Sequence, residues 1–358
     1  MCKENYIGIM SGTSLDGVDV VLCEIDKNVC NLRYSLEYTL PKALKLDILA
    51  SIEDKSTLVQ IAELDHRLGV LFAEAVNHLL KENDIDYSRI IAIGSHGQTL
   101  WHAPNGIYPF SMQLGDPNII TATTGIPVVA DFRRKDMALG GQGAPFAPAF
   151  HAFMFSSIHP SIAVVNIGGM ANITVLNEQI IGYDTGCGNV LLDSWINKHQ
   201  GVPYDKEGEW AYVGKLHKKL LEKMLSDDYF SLPYPKSTGR EKFNLPWLED
   251  ILEPYTSVTP VDIQRTLLEF TAKSISNEVL KFDRQKVFLC GGGAKNTFLI
   301  ERIQTLLPQV EVKISPHADQ IEAMTFAWLA YKRIHKEKVN LKDVTGAREN
   351  TILGAIYA

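Results

Sequence analysis

Residues 7–20 read IGIMSGTSLDGVDV. The apolar run 6–10 and the β-branched run 18–25 flank a turn of glycine, serine, threonine and aspartate, so the spacing predicts a hairpin at the N-terminus. A turn of that composition offers backbone N–H groups and hydroxyl donors that suit phosphate oxygens. Asp16-Gly17 is equally the signal of an ordinary hairpin turn, and the motif alone does not choose between the two readings. No Gly-Lys-Ser/Thr follows, which argues against a P-loop. Gly140, Gly141 and Gly143 lack the spacing and the leading strand of a dinucleotide fingerprint, so NAD is not expected.

Two later strand ends share the glycine chemistry. Residues 162–167 are apolar, enter GGMAN and continue as 173–176, a strand-turn-strand unit that faintly repeats the first. Gly168 and Gly169 there allow backbone to approach a ligand closely. Residues 286–290 form a strand entering GGGAKN, where Gly291, Gly292 and Gly293 permit a flat group to lie against the chain and the helix N-terminus beyond Asn296 favours phosphate. Any one of these loops is also explained as a tight turn. Three of them, early, middle and late in one chain, make a stronger case for a nucleotide.

Helical spacing marks residues 58–81, 190–198, 211–225, 261–282, 298–307 and 322–334. Residues 90–93 read as a buried strand ending in GSHGQT, and open α/β sheets place ligand groups at such strand ends. Residues 233–247, with KSTGREKFN at their centre, have no period and read as a loop lying over something. Asp184 in GYDTG is either a base held exposed in a cleft or the cap of the helix near Asn189. A single Asp-Thr-Gly does not make the paired aspartates of an acid protease.

At 358 residues the chain exceeds a usual single core, and two domains with a cleft between them are expected. A hydrophobic fraction of 46% and a charged fraction of 22% are those of an ordinary globular protein. A net charge of -7 argues against nucleic acid or an anionic membrane as partner, so an anionic substrate needs local cations. Arg133, Arg134 and Lys135, flanked by Asp131 and Asp136, are the densest basic run. The five cysteines are scattered without a Cys-x-x-Cys pair, which fits a cytoplasmic protein better than a disulfide framework or zinc site. The first ten residues lack a signal-peptide core, and no apolar run approaches the ~20 residues of a membrane span.

The order of these loops resembles the duplicated, two-domain α/β ATPase fold of actin, hexokinase and the heat-shock chaperones, of ribonuclease H-like type. Within it IGIMSGTSLDGVDV, GSHGQTLWHAP, QLGDPNII, IPVVADFRRKDMALGGQGAP, VVNIGGMANIT, GYDTG, KSTGREKFN and EAMTFAWLA resemble the anhydro-N-acetylmuramic acid kinase family, from residue 7 to about residue 330. The resemblance implies ATP-dependent conversion of 1,6-anhydro-N-acetylmuramic acid and water to N-acetylmuramic acid 6-phosphate in cell-wall recycling. It implies an N-terminal lobe of residues 1–145 plus about 335–358, a C-terminal lobe of 146–334, a small amino-sugar substrate and a homodimer.

The resemblance also assigns residues. Asp184 is the expected general base on the attacking water. Gly12, Thr13, Ser14, Leu15, Asp16, Gly17, Val18 and Asp19 are expected around the ATP phosphates with Mg²⁺, alongside Gly168, Gly169, Gly291, Gly292, Gly293 and Asn296; a contact of Asp16 with the metal through a water is inferred from its residue type and not from the resemblance. His96, Gln98 and Asn172 suit the sugar's hydroxyl, N-acetyl or lactyl groups, with a structural histidine as the alternative for His96. Arg133 suits the lactyl carboxylate, and Arg134 or Lys135 are alternatives. Glu322 is either a cleft carboxylate or a helix N-terminal charge. Where the family pattern has proline after GYDTG, this chain has Cys187, which puts the stiffness of that turn in question. A kinase for another sugar or a carboxylic acid, and a non-enzymatic ATP-driven switch, are the competing readings.

Overall fold

The computed structural model describes residues 3–12, 15, 17–53, 55–155, 161–176 and 179–358. They divide into two compact units, Met1–Met154 with Gln320–Ala358, and Phe155–Asp319.

The first unit opens with the expected hairpin, β1 (Glu4–Ser11) and β2 (Gly17–Ile25), extended by β3 (Cys30–Thr39). After two helices come β4 (Ile90–Ala103), β5 (Phe110–Leu114) and β6 (Val128–Ala130). In the second unit, β7 (Ile162–Ile167), β8 (Met170–Leu176) and β9 (Ile181–Cys187) form another meander, and β10 (Lys286–Cys290) and β11 (Glu311–Ile314) follow. The chain returns to the first sheet as β12 (Ala355–Tyr357).

The strand orders β12-β6-β4-β1-β2-β3 and β11-β10-β7-β8-β9 repeat one plan. In each sheet an antiparallel meander comes first, and its first strand then takes a parallel neighbour, β4 on β1 and β10 on β7. Parallel pairing requires a long crossover, and each is helical. In the first unit it includes helix Leu58–Glu82, opened by a Thr57–Gln60 capping box and buried along Leu64, Leu68, Phe72, Val76 and Leu79. In the second it includes helix Pro260–Leu280, capped by Thr259.

Helix Ile321–Ile334 packs on the first sheet through a glycine pair. Gly8 and Gly94 are register partners on β1 and β4. A Cβ on Gly8 would lie 1.9 Å from the Ala323 carbonyl oxygen, and one on Gly94 would lie 2.0 Å from that of Phe326. The helix backbone therefore rests directly on the sheet. This is why residues 320–334, together with 146–154, belong to the first unit and not to the second lobe expected for them.

Three local expectations change. The strand expected to end after residue 93 runs on to Ala103, because Gly97 at φ +75° bends it and β5 pairs with its second half. The helix expected over 211–225 is two helices, Glu209–Val213 and Lys218–Leu225. Gly214 turns extended there, where a Cβ would lie 2.3 Å from the Val261 carbonyl oxygen, and His217 caps the second helix at Leu220 N. The aperiodic segment from 233 ends at Asn244, whose side chain accepts from Trp247 N to start helix Leu245–Leu252.

Candidate active site

In the second unit the register aligns Asn166 on β7, Asn172 on β8 and Asp184 on β9. Cross-strand partners share a sheet face, so these three half-buried polar residues form one row. The backbone N–H of Asp184 donates to Lys236 O (3.0 Å), its carboxylate Oδ2 accepts from Thr238 N (3.0 Å), and Tyr229 Oη donates to its carbonyl (2.6 Å). No other described residue donates to the carboxylate. Burial raises the Asp184 pKa to about 6; the Thr238 N–H works against the shift and the nearby Glu241 charge adds to it.

The segment over Asp184 is the aperiodic loop, and its anchor is ionic. Lys236 Nζ lies 2.9 Å from Glu278 Oε1 with both side chains only 3% exposed, and it also donates to Tyr229 O (3.3 Å). Tyr183 Oη donates to Glu278 Oε2 (2.8 Å), and Lys281 completes the set at 2.6 Å. Burial alone would raise the Glu278 carboxyl, but the hydrogen bonds from Lys281, Lys236 and Tyr183 outweigh it and hold it below its usual value. None of Lys236, Thr238, Tyr229 and Glu278 was singled out from sequence. Lys236 and Thr238 lie in the quoted KSTGREKFN, whereas Glu278 is hidden inside a long helical pattern.

The glycines around this row have unequal duties. Gly168 and Gly169 turn β7 into β8, and their carbonyls accept from the N–H groups of Gly188, Asn189 and Val190, closing the start of helix Val190–Gln200. A Cβ on Gly291 would lie 2.3 Å from Asn166 Oδ1, and one on Gly293 would lie 2.3 Å from Ile167 Cγ2. Gly292 has room: the nearest atom to a Cβ there is Asn189 Nδ2 at 3.9 Å. Asn296 is committed as a cap, its Oδ1 accepting from Leu299 N at 2.9 Å. Cys187 is wholly buried and pairs with Met170 in the ladder, so the turn is stiffened by strand pairing where a proline would have stiffened it. Burial pushes its thiol pKa up.

In the first unit Gln98 is fully buried and accepts from Ser11 Oγ at 2.6 Å, tying β4 to the end of β1. His96 is buried against Phe326, with ring centroids 4.7 Å apart. Its Nδ1–H donates to Gly97 O (2.7 Å), which leaves Nε2 to accept from Arg133 NH2 at 2.8 Å. Burial and the Arg133 charge push its pKa down to about 3, so the ring is neutral. Of the side chains expected to meet the sugar, His96 thus supports Arg133 and Gln98 ties β4 to β1.

Arg133 also donates to Gly143 O (3.1 Å) and lies over the Phe146 ring at 5.5 Å. Its Nε is buried without a partner, and no described carboxylate pairs with it. Arg134, by contrast, is exposed and paired with Asp131 at 2.6 Å. Gly143 is itself placed by buried Asp136, whose carboxylate accepts from Gly143 N (2.8 Å) and Thr345 Oγ1 (2.9 Å). Among the three basic residues of the run, Arg133 is the one that is buried with an unpartnered nitrogen and no described carboxylate beside it.

Of the first loop, Leu15 is buried in the core at φ +56° and Val18 is fully buried, so their side chains serve packing. Gly12, Gly17 and Asp19 stand at the mouth of the hairpin, where Asp19 is opposite Met10. Thr13, Ser14 and Asp16 lie outside the described residues. Glu322 is exposed in the first turn of its helix, a position that complements the helix dipole. Among the described residues no cluster of three His, Cys, Asp or Glu is placed to hold a metal ion, and no helix is long and apolar enough to cross a membrane.

A five-strand plan repeated in two sheets, with glycine turns at corresponding strand ends, is the frame of the duplicated actin-like ATPases and sugar kinases. A model of the anhydro-N-acetylmuramic acid kinase family matches residues 4–358, and the chain belongs to that family. An anhydro-N-acetylmuramic acid kinase of Sulfurovum sp. is 63% identical over the whole length of both chains. One of Aliivibrio fischeri is 52% identical over 99% of each. Among solved structures, component A of the Acidaminococcus fermentans (R)-2-hydroxyglutaryl-CoA dehydratase is similar at 12% identity and a TM-score of 0.49, covering 93% of this chain and all of that one.

Proposed function

We propose that the protein is an ATP-dependent kinase that converts 1,6-anhydro-N-acetylmuramic acid and water to N-acetylmuramic acid 6-phosphate in peptidoglycan recycling. Water attacks the anomeric carbon, the bond from that carbon to O6 breaks, and O6 takes the γ-phosphoryl group while ADP leaves. Asp184 takes the proton of the water. The observation that carries this reading is a carboxylate with its pKa raised to about 6, under a loop that leaves one of its oxygens unengaged by any described donor. At neutral pH such a group is mostly ionised yet more basic than an ordinary carboxylate, which suits attack on a carbon of oxocarbenium character.

Arg133 receives the lactyl carboxylate. Its guanidinium has an unpartnered Nε and no competing acid among the described residues, so the substrate supplies the missing counter-charge. Asn172 binds the sugar, a reading supported by its register beside Asp184, and Gly292 meets the nucleotide, supported by the open space at its Cα. Mg²⁺, when bound with ATP, would neutralise phosphate charge. An ion held mainly by phosphate oxygens and water requires few protein ligands, and Asp19 at the hairpin mouth fits that demand; Asp16, which lies outside the described residues, is proposed to reach it through a water. Cys23, Cys30 and Cys187 are buried thiols outside any disulfide, which supports a reducing cytoplasmic setting. A homodimer rests on the family resemblance and is read out by sedimentation.

The test is turnover of 1,6-anhydro-N-acetylmuramic acid with Mg-ATP in ¹⁸O-water, beside Asp184→Asn. Label at the anomeric oxygen of a 6-phosphorylated product, absent from the variant, supports the coupled reaction. An unlabelled product, or full activity in the variant, overturns the assignment of Asp184.

A further inference from the structure

Thr238 has a feature that packing does not explain. Its backbone N–H donates to Asp184 Oδ2 at 3.0 Å, which brings the residue against the carboxylate. Its own hydroxyl, Oγ1, is buried without a hydrogen-bond partner. A buried hydroxyl left unpaired is destabilising, so a fold gains by replacing it with a methyl group unless something else uses it.

The surroundings hold Thr238 in place. Two residues before it, Lys236 is anchored to Glu278 in the interior, and the Lys236 carbonyl accepts from Asp184 N, so the loop is pinned to β9 on both sides of the carboxylate. Two residues after it, Arg240 passes over the glycine turn, where a Cβ on Gly169 would lie 3.5 Å from its NH2 atom. The charged and titratable groups around Asp184 are Glu241 and Lys236 on this loop and Tyr229 beneath it; none of them is a hydrogen-bond partner of Thr238 Oγ1.

We propose that Thr238 is a catalytic residue whose hydroxyl shares the nucleophilic water with Asp184. This rests on the assignment of Asp184 as the base. The water donates one hydrogen to Asp184 and the other to Thr238 Oγ1, which turns its lone pair toward the anomeric carbon. As the new C–O bond forms, the Asp184 hydrogen transfers to the carboxylate and the C–O6 bond breaks. Thr238 keeps its own proton throughout and acts by orientation, the contribution expected of a group that fixes a reactant's approach.

Thr238→Val removes the hydroxyl and keeps both shape and backbone N–H, and Thr238→Ser keeps the hydroxyl. The expected result is a kcat lowered about tenfold or more in the valine variant with KM for ATP unchanged, and recovery to within a few-fold in the serine variant. The melting temperature of the valine variant equals or exceeds that of the wild type, and the acidic limb of its rate profile stays near pH 6 because the Asp184 contact with Thr238 N is intact. Wild-type kcat in the valine variant overturns the proposal, as does an equal loss in both variants, which would assign the effect to loop shape. If Asp184→Asn turns over normally, the base assignment itself has failed; if that variant is inactive while Thr238→Val is not, only the role of Thr238 has.

Discussion

Arg133 NH2 donates to His96 Nε2 across 2.8 Å, joining a helix residue to a strand residue in the interior of the first unit. A neutral histidine with a fixed tautomer orients the guanidinium without discharging it, which a carboxylate in the same place would do. A charge-assisted hydrogen bond of this kind contributes about 1.5–3 kcal/mol. Arg133→Met is expected to raise KM for the lactyl-bearing sugar by roughly ten- to a hundredfold, while an analogue without the carboxylate is little affected. Steady-state kinetics on the two sugars measures the difference, and equal losses on both would remove the lactyl assignment.

Asp184 links activity to stability. Its folded pKa, about 6, lies above the ordinary 3.8. A raised folded pKa means that the stabilising protonated form is fully present below about pH 4 and is lost as pH rises through 6. Asp184→Asn is therefore expected to melt higher than the wild type at pH 8, by up to about 3 kcal/mol, with the gap closing near pH 4. The wild-type kcat/KM is expected to fall tenfold per pH unit below about 6. A variant no more stable at pH 8 than at pH 4, relative to wild type, would contradict the burial of an ionised carboxylate.

The glycines separate packing from binding. Gly8→Ala and Gly293→Ala place a methyl group 1.9 Å from the Ala323 carbonyl oxygen and 2.3 Å from Ile167 Cγ2. Each is expected to cost about 1–3 kcal/mol or more of stability. Gly292→Ala, with its nearest neighbour at 3.9 Å, is expected to leave the melting temperature unchanged and to raise KM for ATP. Calorimetry and kinetics on the three variants decide it, and a Gly292→Ala protein that is unstable would refute the distinction.

The Lys236–Glu278 pair is a buried anchor whose halves are unequal to their sum. Removing one partner strands a charge in the interior, and Lys236→Met is expected to cost about 3–5 kcal/mol. Replacing both, with Lys236→Met and Glu278→Leu together, is expected to recover much of that loss, although Tyr183 and Lys281 then lose an acceptor. Urea unfolding of the single and double variants gives the coupling directly; strictly additive losses would show that the pair is not coupled.

The repeated hairpins and the strand entering the triple glycine were legible because their signals are local. Apolar runs bounded by Gly, Ser and Asp set strand and turn whatever lies around them, and helices such as Leu58–Glu82 and Pro260–Leu280 followed from their period. The duties of individual site residues were not legible in the same way. His96 and Gln98 read as sugar ligands because polar groups at a strand end are where ligands bind, but β4 continues beyond them and buries both.

The sequence by itself determined the duplicated α/β plan, the family, and the carboxylate and the basic run from which the functional reading starts. These depend on residue type and short-range order, which the chain carries wherever it folds. Only the tertiary structure decided that helix Ile321–Ile334 rests on the first sheet, that Arg133 and not Arg134 lacks a carboxylate, and that Thr238 and Lys236 cover Asp184. Each depends on a contact between residues far apart in sequence, and on burial, which raises the basicity of a carboxylate and makes an unpaired polar atom costly.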